Sequence, residues 1–174
     1  MKIGVISDSH DNIKNLETAF KLLSKENVEL VFHCGDLSAP FTIDYFKNLQ
    51  LPVKAVFGNN EGDKVNILAR IKRNKIDFAY APNYGLMWNL KLENKKIAVF
   101  HGHQKEITQS IIKSNQFDFV LTGHTHEPYI KTINKTVWIN PGCICGWSGL
   151  DIKAEKPSLA IVDLKISSAK IEFI

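Results

Sequence analysis

The first half of the chain alternates short apolar runs with stretches in which apolar residues recur at helical spacing. Lys2-Ile-Gly-Val-Ile6 reads as a buried strand. Asp11 or Asn12 can cap a helix that carries Ile13, Leu16, Phe20 and Leu23 on one face and ends near Glu26-Asn27. Glu29 to Phe32 follows as a second short strand, broken by His33-Cys-Gly-Asp36. Ser38 and Pro40 suit an N-cap and an early helical position, and the helix they open turns Ile43, Phe46 and Leu49 inward. Pro52 closes that segment before a third strand, Val53 to Phe57, which stops at Gly58-Asn59-Asn60-Glu61-Gly62. Three strand–helix alternations in about 60 residues predict parallel βαβ units.

The pattern then changes. A helix through Val65 to Arg73 gives way to Ile76 to Tyr80, and Leu86 to Glu93 and Lys96 to Phe100 flank Asn94-Lys95 as a predicted hairpin. A helix near Glu106 to Ser114 precedes Phe117 to Leu121. Tyr129 to Thr132, Thr136 to Ile139, Ser158 to Lys165 and Ala169 to Phe173 are strand-like, and Gly142 to Pro157 is the one long loop. With no repeat, low-complexity tract or linker, the expectation is one α/β domain over 1–174, half parallel and half more antiparallel.

Composition narrows the class. A chain of 174 residues, 44% hydrophobic and 23% charged, can bury a sizeable core as a soluble globular protein. The N-terminus reaches Asp8 and His10 too soon for a signal peptide, and no apolar run is long enough to span a bilayer. Three cysteines, Cys34, Cys143 and Cys145, do not make a disulfide framework, so a cytoplasmic location is expected. The net charge of +4 comes mainly from dispersed lysines, Arg70 and Arg73 being the only arginines. That describes a solvated surface rather than a nucleic-acid face, and is compatible with a small anionic substrate.

Several predicted strands are followed by residues that bind metals. Asp8-x-His10 follows the first, and Asp36, Asn59, His101-Gly-His103 and His124-x-His126 follow others. If the backbone stays extended past the strand, residues two apart share a side, which would aim Asp8 and His10 together. Five of the six histidines fall in such places; His33 alone reads as structural, capping its strand. Imidazole, carboxylate and amide oxygen suit Mn, Fe, Zn or similar divalent ions. Cys143-Ile-Cys145 lacks zinc-knuckle spacing and reads as packing. The donors exceed the needs of one ion. Two ions with one shared carboxylate account for the count, as in sites that clamp a phosphoryl group. Gly35, Gly58, Gly102 and Gly123 each sit beside a candidate ligand.

Taken in order, Asp8-x-His10, Gly35-Asp36, Gly58-Asn59, His101-Gly-His103 and Gly123-His124-x-His126 resemble the calcineurin-like metallophosphoesterase superfamily. Spacing, length and the Asn140-Pro-Gly142 stretch look most like its small prokaryotic phosphodiesterase branch. The resemblance, covering Met1 to about Gly146, implies a four-layer α/β/β/α sandwich of two mixed sheets flanked by helices. It puts Asp8, His10 and His126 on a first metal and Asn59, His101 and His124 on a second, with Asp36 bridging. It implies attack by a metal-bridging water or hydroxide, so Ser7 and Ser9 need no catalytic role. The cofactors would be two divalent ions among Mn, Ni, Fe and Zn, with Mn expected in vitro. The substrate would be a small phosphodiester, with nucleic acid limited to short oligonucleotides or cyclic nucleotides.

Where many members have histidine after the motif asparagine, this chain has Asn60 and then Glu61. We expect Asn60 to contact a phosphate oxygen and His103, or a water, to protonate the leaving alkoxide. Competing readings fit less well. Binuclear amidohydrolases open with His-x-His on barrels of about 250 residues. A scaffold like the retromer subunit of the same structural group would have lost ligands, and a nuclease would bring a concentrated basic face. Substrate choice is expected in residues 12–15, 62–66, 104–108 and 143–153. The long loop, with Trp147, serves equally as a substrate wall or as a contact between subunits of a homo-oligomer.

Overall fold

Residues 1–147 and 156–174 are described by the computed structural model. Its organising strand is β1 (Lys2–Ile6), which pairs in parallel with β2 (Leu30–His33) and antiparallel with β10 (Ser158–Asp163). Strands β3 (Val53–Ala55) and β4 (Phe78–Tyr80) extend the parallel side, and β11 (Ser168–Phe173) closes the antiparallel side. The second sheet runs β5 (Met87–Leu92), β6 (Lys95–Phe100), β7 (Phe119–Leu121), β9 (Thr136–Pro141) and β8 (Pro128–Ile133) in spatial order. Here β6, β7 and β9 are parallel and the two outer pairs antiparallel.

The period-two alternation of the strands builds three apolar layers. Ile3, Val5, Phe32, Val56, Ala160 and Val162 face Ile97, Val99, Phe119, Leu121 and Ile139 between the sheets. On the outer side of the first sheet, Ile6, Val31, Val53 and Ile161 pack on α1 (Ile13–Lys25), a 3-10 helix (Pro40–Asn48) and α2 (Lys64–Asn74). Ala98, Phe100 and Val120 of the second sheet cover Ile112 of α3 (Lys105–Lys113). The result is the expected four-layer α/β/β/α sandwich of two mixed sheets. Gly4 of β1 lies so close to α1 that any side chain there would overlap Leu23.

Local differences from the sequence reading have physical causes. The hairpin turn is Glu93-Asn94 rather than Asn94-Lys95; both residues take positive φ (46° and 63°), the type I′ geometry that matches strand twist. The helix opened by Pro40 is 3-10. Its inward residues, Ile43, Phe46 and Leu49, are three apart, the period of that helix. Ser38 does not cap it. Asp11 instead accepts from Ala39 N at 2.8 Å and from the Thr42 hydroxyl, while Asn12 caps α1 by accepting from Asn15 N at 3.1 Å. The third strand stops at Ala55, two residues early. Among the described residues no helix is long and apolar enough to cross a membrane. Residues 148–155, within the expected long loop, lie outside the described part.

Two polar residues, His33 buried and Glu61 half-buried, hold the strand ends. His33, last in β2, accepts from Gly35 N through Nδ1 (3.2 Å), and its Nε2 lies 3.1 Å from the Ser9 hydroxyl. Burial pushes its pKa down to about 4, because a charged ring would be desolvated. The Glu61 carboxylate accepts from Asp36 N (2.9 Å), Leu37 N (3.1 Å) and Gly58 N (3.0 Å), tying the loop after β2 to the loop after β3. Burial there raises Glu61 to about 7 against the pull of those donors.

Two outcomes follow. The folded state binds fewer protons at His33 than the unfolded chain does between about pH 4 and 6.5, so stability from this residue is present at neutral pH. It is lost as pH falls through that window, an effect of about 2–3 kcal/mol. Denaturant unfolding of chelator-treated protein at about pH 7 and about pH 4.5 should show a smaller pH-dependent loss in His33→Asn than in the wild type. Glu61→Ala strips an acceptor from three backbone N–H groups and should cost about 3 kcal/mol, with Glu61→Gln in between.

Candidate metal centre

Strands β1, β2 and β3 run in parallel, as do β6, β7 and β9, so each triplet delivers its carboxyl-terminal loops to one edge of its sheet. Those loops carry Asp8 and His10, Asp36, Asn59, His101 and His103, and His124 and His126. At five of these residues the backbone is not extended, so the condition under which Asp8 and His10 would share a strand side is not met. Asp8, His10, Asp36, His124 and His126 all have positive φ, between 38° and 71°. Left-handed turns, each costing roughly 1–3 kcal/mol outside glycine, therefore aim the side chains. They fit because glycines stand opposite. A side chain at Gly58 would overlap the Asp36 carboxylate, and one at Gly123 would overlap Ser7 beside Asp8.

Two adjoining groups result. Asp8 Oδ1 lies 3.2 Å from His126 Nε2 and 3.8 Å from His10 Nε2. Asp36 Oδ2 lies 3.6 Å from His10 Nε2 and 3.4 Å from His101 Nε2, standing between the groups. His101 Nε2 is 2.9 Å from Asn59 Oδ1, and its ring centre is 5.2 Å from that of His124 and 5.5 Å from that of His103. The other nitrogen of each inner histidine is occupied: Nδ1 of His101 meets Cys34 O (2.8 Å), Nδ1 of His126 meets Trp147 O (2.6 Å) and Nδ1 of His10 meets the Ser38 hydroxyl (3.2 Å). Such contacts fix the ring and leave Nε2 as the ligating atom.

These residues suit divalent cations. Asp8 Oδ1 and His10 Nε2 are buried and without any hydrogen-bond partner. Orphaned polar atoms at the point where carboxylates and imidazoles converge are what a bound cation would satisfy. Asp8, His10 and His126 form one set of converging donors, and Asp8, Asp36 and His101 another. Asp36 is pushed up by burial, but the hydrogen bonds from His101 and Asn60 win and hold it well below the usual carboxylate range. Burial lowers His10, His103 and His124. It would also lower His126, which the negative charge of the Asp8 carboxylate beside it instead raises to about 10.

Asn60 is placed differently from expectation. Its backbone N donates to Asp36 Oδ1 at 2.7 Å and its Nδ2 to Oδ2 at 2.8 Å, so it orients the carboxylate. One amide hydrogen is left for a phosphate oxygen. His103 is exposed at the rim, its ring centre 6.1 Å from that of His124. Within residues 12–15, Asn12 and Asn15 are engaged inside the chain, donating to Cys145 O (2.8 Å) and Ile144 O (2.9 Å).

Three features of this neighbourhood take places that the order of residues does not show. Glu61 supports Asp36 from behind. Trp147 packs its ring 5.0 Å from that of His10 and 5.7 Å from that of His126. Cys143 and Cys145 are buried, as expected, but against His126 rather than among aliphatic side chains. A hydrogen bond from Cys145 lowers the Cys143 thiol, and the same bond raises Cys145. Their two-residue spacing, read against a zinc knuckle alone, hid this.

Comparison with known proteins agrees with the geometry. Residues 1–167 match the family model of the calcineurin-like phosphoesterase superfamily domain. A phosphodiesterase of Methanocaldococcus jannaschii is 34% identical over 168 residues, covering 94% of this chain and 93% of its own length. The structure of an archaeal phosphodiesterase superposes with a TM-score of 0.88 at 31% identity over the whole of both chains. Zinc-bound Vps29 of Entamoeba histolytica shares the fold, with a TM-score of 0.72 at 21% identity over 100% of this chain and 98% of that one. A sandwich whose strand ends gather carboxylates, imidazoles and an amide at one seam is thus accounted for: the chain belongs to the calcineurin-like phosphoesterase superfamily.

Proposed function

We propose that the protein, acting as one domain over 1–174, is a metal-dependent phosphodiesterase for small diesters. The observation that carries this is Asp36 standing between two sets of converging donors, with Asp8 Oδ1 and His10 Nε2 buried and unpartnered beside it. Asp8, His10 and His126 would hold one divalent ion and Asn59, His101 and His124 a second, with Asp36 shared. Manganese, nickel, iron and zinc all suit these donors, manganese being the ion to try first in vitro. Two such ions supply a nucleophile from water at neutral pH and screen the phosphoryl oxygens.

The chain's own groups do the rest. Asn60 orients Asp36 through two hydrogen bonds and offers its remaining amide hydrogen to a phosphate oxygen. His103, exposed beside His101 and His124, delivers a proton to the leaving alkoxide. Trp147 covers His10 and His126 and keeps water from that side. The names of the relatives favour a diester over a monoester. The free thiols of Cys34, Cys143 and Cys145 agree with a cytoplasmic setting.

The decisive experiment compares a bis-nitrophenyl phosphodiester with the nitrophenyl monoester, using protein stripped by chelator and resupplied with Mn, Ni, Mg or Zn. Diester cleavage should return with metal and fall at least about 100-fold in Asp36→Asn. Monoester preference would make the protein a phosphatase, and inactivity with two ions bound would leave a protein-binding scaffold. His103→Ala should slow diesters with alkyl leaving groups about 10²–10⁴-fold, spare nitrophenyl diesters and remove the basic limb of the pH–rate profile. An unchanged profile would take the proton-donor role from His103.

A further inference from the structure

The side of His126 that faces away from Asp8 meets a second set of donors. Strand β9 ends at Pro141, and Gly142, at φ +82°, turns the chain where any side chain would overlap Ser158. The next residues are pinned from three directions. Ile144 N and Cys145 N donate to Ser7 O and Asp8 O, both at 3.0 Å. Asn15 and Asn12 hold the carbonyls of Ile144 and Cys145, and Ser158 N donates to Cys143 O at 3.0 Å. Held in this way, residues two apart place their sulfurs on one side.

Cys143 Sγ, Cys145 Sγ and a ring nitrogen of His126 all lie within 4.8 Å of one another. Cys145 Sγ is 3.6 Å from His126 Nδ1 and 3.3 Å from Trp147 O. Trp147 O is itself 3.6 Å from Cys143 Sγ and 2.6 Å from His126 Nδ1. Four donor atoms, two of them sulfur, therefore surround one buried point. A tetrahedral ion with metal–sulfur bonds of about 2.3 Å and metal–nitrogen bonds of about 2.0 Å sets its ligand atoms roughly 3.3–3.8 Å apart. Three of the spacings already fall in that range. Cys34, buried in the apolar layer between the sheets, is the contrasting case of a cysteine that only packs.

We propose that Cys143, Cys145, His126 Nδ1 and the Trp147 carbonyl form a binding site for one thiophilic cation of the zinc and cadmium class, sharing His126 with the neighbouring oxygen- and nitrogen-rich centre. On loading, the two thiol protons and the Nδ1 proton leave to solvent as the metal–sulfur and metal–nitrogen bonds form. Nδ1 then gives up its contact with Trp147 O in exchange for the ion. Because one imidazole serves both places, occupancy of the sulfur site changes cation affinity at Asp8 and His10, and the reverse holds by the same factor.

Cadmium ion is the probe, added to full-length protein already loaded with manganese and dialysed. The sulfur site predicts a thiolate-to-cadmium ultraviolet band that saturates at about one cadmium per chain, with X-ray absorption at the cadmium edge reporting two sulfur ligands. Cys145→Ser and Cys143→Ser should each weaken cadmium binding at least about tenfold, while Cys34→Ala leaves the band intact. The proposal fails if the wild type shows no thiolate band, if the cadmium-edge absorption reports no sulfur or one, or if the band disappears with Cys34. The wild-type readings decide the matter even if a serine variant does not fold. No phosphoester enters the measurement, so its result stands apart from the test of the diesterase reading.

Discussion

Two carboxylates removed from water set the terms for the whole molecule. Asp8 and Asp36 are at most 1% exposed and, among the described residues, pair with neither lysine nor arginine. A buried charge without compensation costs far more than a fold of this size can absorb. The chain meets that cost locally. Asp36 takes two hydrogen bonds from Asn60 and one contact from His101, and Asp8 Oδ2 accepts from His124 N at 2.9 Å. What is left over, Asp8 Oδ1 above all, is a standing demand for positive charge.

The sandwich exists to present that demand at one place. Parallel triplets in each sheet end at a common seam, and the apolar layer between the sheets keeps the two ends in register. Against that rigid base, left-handed turns at five of the acidic and imidazole residues can persist, because every neighbouring element over-determines them. Glu61 and His33 show the same principle one layer back. Each is a titratable group drawn largely out of water whose hydrogen bonds are made to the loops that carry the ligands.

His126 joins two different chemistries. Its Nε2 faces a carboxylate and its Nδ1 faces a carbonyl with two sulfurs behind it. The first environment is built by strands β1 and β7, the second by the stretch that leaves β9. A ring held from both sides has little freedom, so changes on the sulfur side are felt at Asp8 and His10. Trp147 transmits the same coupling by covering both rings.

Much of this was legible in the amino-acid order. Apolar runs of strand length and helical periodicity are local properties, so the elements and their alternation could be read directly, down to a cap of α1 at Asp11 or Asn12, of which the fold uses Asn12. The ligand set was legible because such residues recur after β1, β2, β3, β6 and β7. Local pattern does not contain the third dimension, and there tertiary structure decided. It put positive φ at Asp8 and His10, where an extended backbone had been expected, and turned Asn60 onto Asp36. It brought Asn12 and Asn15 to carbonyls more than a hundred residues away and folded Cys143 and Cys145 onto His126. Those contacts join segments far apart in the chain. Sequence alone carries which donors exist; only packing of the two sheets determines which of them meet.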